Sequence, residues 1–320
     1  MTVKTRFVYG PVPSRRLGLS LGLSITPRKT CTVDCVYCQC GRTTRKTLRR
    51  ESFFPVAEIL AQADEAVRGS RTEFITFSGE GEPTLNLDIG RLIRRLRAKH
   101  DIPVAVITNS TLLTDPQVRR DLYRADLVVP SLDAADQQTF VRVNRCHRGL
   151  KVDAIIDGLK MFRRFYHGLI WLEVMLVKGI NDSPEHLVLL RRAVADIRPD
   201  RVHLNTVVRP PAERRAKPLS EDDLEQVRKL FGPGAEIAES PIRRPRARLR
   251  RIWAGSPDRA IVELVRNRPA TLKDMERSLG IPAEQLRSAL NRLTRRRKGR
   301  PARVERVEFW GKVFYEAGPA

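Results

Sequence analysis

From about residue 18 to 230, short apolar runs alternate with amphipathic stretches. The runs at 19–25, 74–77, 104–108, 127–131, 170–177 and 202–207 are rich in Val, Ile and Leu and lack a clean polar alternation. Strands buried on both faces of a parallel sheet read this way. Between them Val56, Ile59, Leu60 and Ala63 keep the 3.6-residue period, as do Leu187, Leu190 and Val194. Ser183-Pro184 reads as an N-cap followed by proline at the first helical position, and Ser220 with Asp223 as a capping box. Six strand-then-helix units in series predict an α/β fold with right-handed crossovers and a parallel sheet. Six units are too few for a closed eight-fold barrel. A partial (β/α)6 barrel is therefore expected, with a doubly wound sheet as the alternative.

After residue 240 the pattern changes. Residues 241–251, Pro-Ile-Arg-Arg-Pro-Arg-Ala-Arg-Leu-Arg-Arg, read as a linker whose prolines and mutually repelling arginines resist compaction. Ile261, Leu264 and Val265 mark one helix. Thr271 with Asp274 opens a second, carrying Leu272, Met275 and Leu279 and ending at Gly280. Pro282 starts a third with Leu286, Leu290 and Leu293. Val307 and Phe309 then alternate, Gly311 turns, and Val313 and Tyr315 alternate back. Three helices and a hairpin predict a small winged helix-turn-helix domain. The expected organisation is a core domain at 1–240, a basic linker at 241–255 and the winged domain at 256–320.

Of the 320 residues 41% are hydrophobic, enough for a sizeable core and too many for a disordered chain. The formal net charge of +23 calls for a polyanionic partner, nucleic acid ahead of an anionic membrane surface. The excess is localised, because the last 80 residues hold 21 Lys/Arg against 8 Asp/Glu. No apolar run approaches the roughly 20 residues of a spanning helix. The opening Met1-Thr-Val-Lys-Thr-Arg has no signal-peptide core. A cytoplasmic protein without membrane contact is expected.

Four of the five cysteines fall within ten residues, which suits a metal site in a reducing compartment better than a disulfide framework. Cys31, Cys35 and Cys38 form C-x3-C-x2-C just after the first predicted strand. Three thiolates from one tight loop can ligate three irons of a [4Fe–4S] cube and leave the fourth open. The alternative is a structural zinc site using Cys31, Cys35, Cys38 and Cys40, although the second C-x2-C half usual in zinc knots is missing. Cys40 is read as a bystander thiol or else a redox or alternative ligand.

With aromatic Tyr37 before the last cysteine, this spacing resembles the signature of the radical S-adenosylmethionine (SAM) enzymes. The resemblance implies that the open iron chelates SAM, that an electron from a flavodoxin- or ferredoxin-type reductant cleaves it to a 5′-deoxyadenosyl radical, and that Tyr37 lies beside the adenine. Ser78-Gly-Glu-Gly-Glu-Pro-Thr84, after the second strand, resembles the family's Gly-Gly-Glu-Pro element. It implies that Glu82 receives the SAM ammonium in a loop shaped by Gly79 and Gly81. Asn109 after the third strand, and Ser131 and Asp133 after the fourth, are implied contacts for the SAM carboxylate and ribose, with helix capping as their alternative role. Residues 179–182 are either a wall for the adenine or a turn feeding the Ser183 cap. Residues 143–149, with Cys146, and 204–211, with Asn205 and Arg209, are candidates for the substrate side. No catalytic residue is assigned.

The opening Gly10-Pro-Val-Pro-Ser-Arg-Arg-Leu-Gly18, with Arg28-Lys29-Thr30-Cys31 and Gly79–Thr84, resembles a radical SAM group related to the tRNA wyosine synthases. The chain departs from those enzymes in having only Cys146 outside the first loop, so no second three-cysteine cluster can be built. The leading expectation is an enzyme that modifies a nucleic acid, RNA before DNA, by radical chemistry. A protein or small-molecule substrate is the alternative. A non-enzymatic Fe–S regulator, reading DNA through Arg287, Asn291 and Arg295 with phosphate contacts from Arg295-Arg-Arg-Lys298, is a third reading.

Overall fold

A computed structural model of the chain describes residues 6–14, 16–238, 256–295 and 301–318. The linker expected at 241–255, the start at Met1 and the cationic run at 296–298 lie outside the described residues. The elements in order are β1 (Val8–Ser14), β2 (Gly18–Leu23), β3 (Thr30–Cys31), β4 (Arg45–Lys46), α1 (Val56–Gly69), β5 (Phe74–Phe77), α2 (Ile89–Lys99), β6 (Val104–Thr108), α3 (Pro116–Leu122), β7 (Leu127–Pro130), α4 (Gln137–Asn144), α5 (Val152–Phe165), β8 (Leu169–Leu176), α6 (Pro184–Ile197), β9 (Arg201–Thr206), α7 (Glu221–Phe231) and β10 (Ala235–Ile237). After them come α8 (Pro257–Asn267), α9 (Leu272–Leu279), α10 (Ala283–Leu293), β11 (Val304–Phe309) and β12 (Lys312–Ala317).

One sheet runs β1-β2-β5-β6-β7-β8-β9-β10. Every neighbouring pair is parallel except β1–β2. This is the expected partial barrel with six strand-then-helix units, flanked by two strands that the pattern missed. β10 is three residues long and has no periodicity to read. β1 carries Gly10, Pro11 and Pro13, residues that argue against a central strand but are tolerated on an edge. The first predicted strand ends at Leu23 rather than Ile25, where the chain turns toward the cysteine loop and Asn86 Nδ2 donates to the Ile25 carbonyl at 2.6 Å.

Alternation along the strands sorts the two faces. Val104, Val106 and Val128 are fully buried beneath the helices with Ile75, Phe77 and Leu172. Ala105, Leu127 and Val129 point the other way and pack with Leu17 in a smaller apolar cluster. On that face toward the carboxyl ends of the strands the residues turn polar, and buried Ser20 and Thr76 share a 2.7 Å hydroxyl hydrogen bond. The barrel is thus plugged by apolar side chains at one level and lined by polar groups where a ligand would sit. Helix starts follow the sequence signals. Ser183 accepts from His186 N at α6 and Ser220 from Asp223 N at α7.

Helices α8, α9 and α10 gather around Ile261, Met275, Leu279, Leu286 and Leu290, a core separate from the first. The Thr271–Asp274 capping box and the left-handed Gly280 bound α9 as expected. β11 and β12 pair antiparallel through a turn in which Trp310 as well as Gly311 takes positive φ, at 51° and 69°. Val12 of β1 packs against this second core. No helix among the described residues is long and apolar enough to cross a membrane.

Candidate functional site

A cavity of about 340 Å³ opens at the carboxyl ends of the parallel strands, and Cys31, Cys35 and Cys38 all line it. The loop that carries them is stitched in on two sides. Asp34 N donates to the Asn144 carbonyl (2.9 Å) and Val36 N to that of Val143 (3.0 Å), at the end of α4. From the other side Ala212 N reaches the Cys38 carbonyl (2.9 Å) and Glu213 N that of Val36 (3.0 Å). Within the loop the Asp34 carboxylate accepts from Thr43 N at 2.7 Å.

Each of two thiols has a side-chain amide on its sulfur. Asn109 Nδ2 lies 3.4 Å from Cys31 Sγ, and Asn144 Nδ2 lies 3.2 Å from Cys35 Sγ. Burial pushes the Cys31 thiol up to about 12 and the Cys35 thiol well above its ordinary value. Cys38 is lowered to about 6 by a hydrogen bond from Cys40, with help from the Lys29 ammonium. Cys40 also lines the cavity, and its sulfur faces the Gly79 carbonyl at 4.0 Å. Among the described residues no three His, Cys, Asp or Glu side chains close around a point that a single metal ion could occupy. A donor set of three thiols spread over one wall, with softness suited to iron and sulfide, fits a larger polynuclear group.

The glycine-rich loop after β5 lies against the cysteine loop. Glu82 N donates to the Thr30 carbonyl (3.1 Å) and Lys29 N to that of Glu80 (3.0 Å). A Cβ at Gly81 would stand 2.4 Å from the Thr30 carbonyl oxygen and 2.5 Å from Thr26 Oγ1, and one at Gly79 would stand 2.5 Å from Ser24 Oγ. The close approach requires glycine at both positions. The Glu82 carboxylate is buried and accepts four protein hydrogen bonds. Its Oε1 takes Thr84 N (3.1 Å), Thr84 Oγ1 (2.6 Å) and Thr108 Oγ1 (2.6 Å), and its Oε2 takes Asn109 N (2.8 Å). Burial raises its pKa and these donors oppose the rise. Glu82 is therefore foremost a clasp between the β5 and β6 loops, with lone-pair capacity left mainly on Oε2.

Gly79, Gly81, Glu82, Asn109 and Ser131 line the cavity, as the sequence led us to expect, whereas Tyr37 and Asp133 do not. Tyr37 donates its phenol to Asp133, and Asp133 also accepts from Asn144 Nδ2 (2.7 Å) and Met175 N (3.0 Å). The pair braces the cysteine loop from behind, through the same Asn144 that touches Cys35. Tyr37→Phe should leave a buried Asp133 oxygen short of a donor. The expected cost is about 1–2 kcal/mol, seen as a lowered thermal midpoint of the holoprotein.

The stretches read as alternatives also resolve. Asn181 is buried in a turn, donating to the carbonyls of Asp133 and Met175 at 2.8 Å, and residues 179–182 do not line the cavity. Of 143–149, none lines it. Cys146 packs against the core, and Asn144, which the sequence reading did not single out within this stretch, acts from behind the wall through its Nδ2 on Cys35 Sγ. Asn205 is also behind the wall. It donates to Glu173 at 2.7 Å, and Glu173 pairs with Arg16, which does line the cavity. Arg209 lines it directly. Arg16, Lys29, Tyr9 and Arg268 were missed as lining residues. Arg16 and Lys29 fall in the stretches 10–18 and 28–31 that carry the family resemblance, which gave them no role, whereas Tyr9 and Arg268 fall in no motif and reach the cavity only through the folding of β1 and the end of α8 over the sheet.

The profile of the radical SAM superfamily matches residues 25–190. A protein of Brachyspira hyodysenteriae described as GTPase Obg is 41% identical over 236 residues, covering 73% of this chain and 35% of that relative. The chain thus spans about a third of that protein's length. A UPF0026 protein of Methanocaldococcus jannaschii is 36% identical over 226 residues, 70% of either chain. A dual-specificity RNA methyltransferase of Syntrophobacter fumaroxidans is 29% identical over 214 residues, 62% of this chain and 61% of that one. Among solved structures, a radical SAM methyltransferase from Sphaerobacter thermophilus superposes with a TM-score of 0.52 at 22% identity, covering 68% of this chain and 66% of its own, which is a likeness of fold.

Proposed function

The chain belongs to the radical SAM superfamily, whose enzymes use a [4Fe–4S] cluster and SAM, and from that premise we propose that Cys31, Cys35 and Cys38 hold the cluster and that the substrate is a nucleic acid, RNA first. The carrying observation is that these three thiols share one cavity with Gly79, Gly81, Glu82, Asn109 and Ser131 at the strand ends. When bound by these thiols, a [4Fe–4S] cluster would supply the reducing electron for SAM cleavage, the radical chemistry of the superfamily. The residues of the chain do the rest. Asn109 and Asn144 hold two thiolate sulfurs in place, and Gly79 and Gly81 let the glycine-rich loop lie close against residues 24–30. Ser131 and the remaining Oε2 capacity of Glu82 offer polar contacts to its amino-acid end. Tyr37 and Asp133 act behind Cys35 rather than on SAM. A flavodoxin- or ferredoxin-type protein is the proposed electron donor.

The nucleic-acid reading is supported by the charge excess of the last quarter of the chain and by one face of α10. Arg287, Asn291 and, just beyond the helix, Arg295 are exposed on that face. The three helices and the hairpin fit a winged helix-turn-helix, and the RNA methyltransferase among the relatives agrees with an RNA substrate. The double substitution R287Q/R295Q should weaken binding of bulk tRNA and lower the slope of log affinity against log salt by about 1.4–1.8, the share of two phosphate contacts. Unchanged affinity and slope in a salt titration would remove the nucleic acid from this reading. Deleting the C-terminal helices is the poorer test, because Glu263, Leu264 and Arg268 line the cavity and their loss would open it.

A further inference from the structure

The parallel-strand unit does not enclose its cavity alone. Helices α8 and α9 pack on β1, with Val12 set into their core, and this brings Arg268 to the same cavity as the three cysteines. Most charges on the lining are answered. Arg16 pairs with Glu173, Glu80 with Arg28, Glu263 with Arg6 and Arg259, and Arg209 donates to Gln39 at 3.3 Å. Glu82 has its four donors. Lys29 Nζ has no hydrogen-bond partner in the cavity wall, but its charge acts on Cys38 and Cys40, beside the thiolates it would offset.

Arg268 stands apart. It is half-buried and makes no hydrogen bond or ion pair among the described residues. The groups whose charge reaches it are Tyr9 and Asp274. Tyr9 is engaged with Ser78 at 2.6 Å, and Asp274 is tied into the Thr271 capping box. Desolvation lowers its pKa and the charges of Asp274 and Tyr9 only partly oppose it, so among the described residues no bonded anion answers this cation. A guanidinium presents a planar fork of donors matched to phosphate or carboxylate oxygens.

We propose that Arg268 is an anion-binding residue of the cavity, receiving a phosphodiester of the nucleic-acid substrate so that the neighbouring nucleotide faces the cysteine wall. The assignment rests on the nucleic-acid reading above and adds to it a contact inside the cavity, distinct from the exposed face of α10. Phosphate contacts position a chain without reading its sequence, so Arg268 fixes how deep the substrate enters.

The test uses the reconstituted full-length protein with bulk tRNA as probe, titrated anaerobically over a salt series. R268Q should weaken binding about tenfold and reduce the salt slope by about 0.7–0.9, one phosphate contact. R268K should restore the slope and only part of the affinity, because the charge returns without the fork. Thermal melts of both variants check that they are folded. Equal affinity and slope for R268Q and the unsubstituted protein, with R287Q/R295Q still weakened, would overturn the role of Arg268 and leave the nucleic-acid reading standing. No binding of tRNA by the unsubstituted protein would overturn both.

Discussion

Cys35→Ala is expected to yield a folded protein that takes up no stable cluster and forms no 5′-deoxyadenosine. Cys35 is the most buried of the three cavity thiols, at 9% exposure, and the fourth thiol on the lining, Cys40, is hydrogen-bonded to Cys38. Its burial makes the free thiol reluctant to ionise, so iron must displace the proton, and the resulting thiolate is met by Asn144 Nδ2 at 3.2 Å. With alanine, one iron loses its ligand and the Asn144 amide its acceptor. Anaerobic reconstitution followed by dithionite and SAM should show product falling more than about 100-fold, beyond the 10–100-fold typical of losing a supporting residue only. Cys40→Ala should retain cluster absorbance and product. Loss of the metal in that variant would mean that the ligand set is wrong, and full product from Cys35→Ala would remove the cluster assignment.

Glu82→Ala is the second large effect, and it should be read first in stability. The carboxylate closes four hydrogen bonds from Thr84, Thr108 and Asn109 in a site where Glu82 is 2% exposed. Removing it orphans two backbone amides and two hydroxyls at the junction of the glycine loop and the end of β6. Water entering from the cavity would satisfy part of them, so a net loss of about 3 kcal/mol is expected. For a chain of this size that is a fall of roughly 6–10 °C in the thermal midpoint. The same change frees Asn109, whose side chain touches Cys31 Sγ. SAM cleavage should then fall more steeply than cluster content. A variant with an unchanged melting midpoint would show that the clasp contributes little. A variant with the lowered midpoint but normal SAM cleavage would confine Glu82 to stability.

What could be read beforehand follows from how local each signal is. The cysteine spacing, the Gly-x-Gly-Glu-Pro turn and the capping residues are contiguous, and each has a meaning set by its own few residues. Six central strands were readable because burial on both faces leaves unbroken apolar runs. β1 escaped because an edge strand can carry the glycine and prolines that mark a loop elsewhere. Side-chain direction is not local. Tyr37 and Asp133 sit in the right motifs, yet they bond one another behind the cysteine loop. Asn144 lies in the candidate stretch 143–149 without having been singled out and Arg268 lies in no motif, and tertiary folding brings them to the site across 109 residues in the case of Asn144 and Cys35.

The four backbone bonds that stitch the cysteine loop to α4 on one side and to residues 212–213 on the other have a thermodynamic consequence. A loop held this way spends its conformational freedom when the chain folds, not when the cofactor arrives. The apoprotein should therefore keep its architecture, unlike a zinc finger, which is a coil until metal organises it. Cluster assembly becomes a capture by a ready-made receptor, so its affinity is set by sulfur–iron bonding and thiol deprotonation with little ordering entropy to subtract.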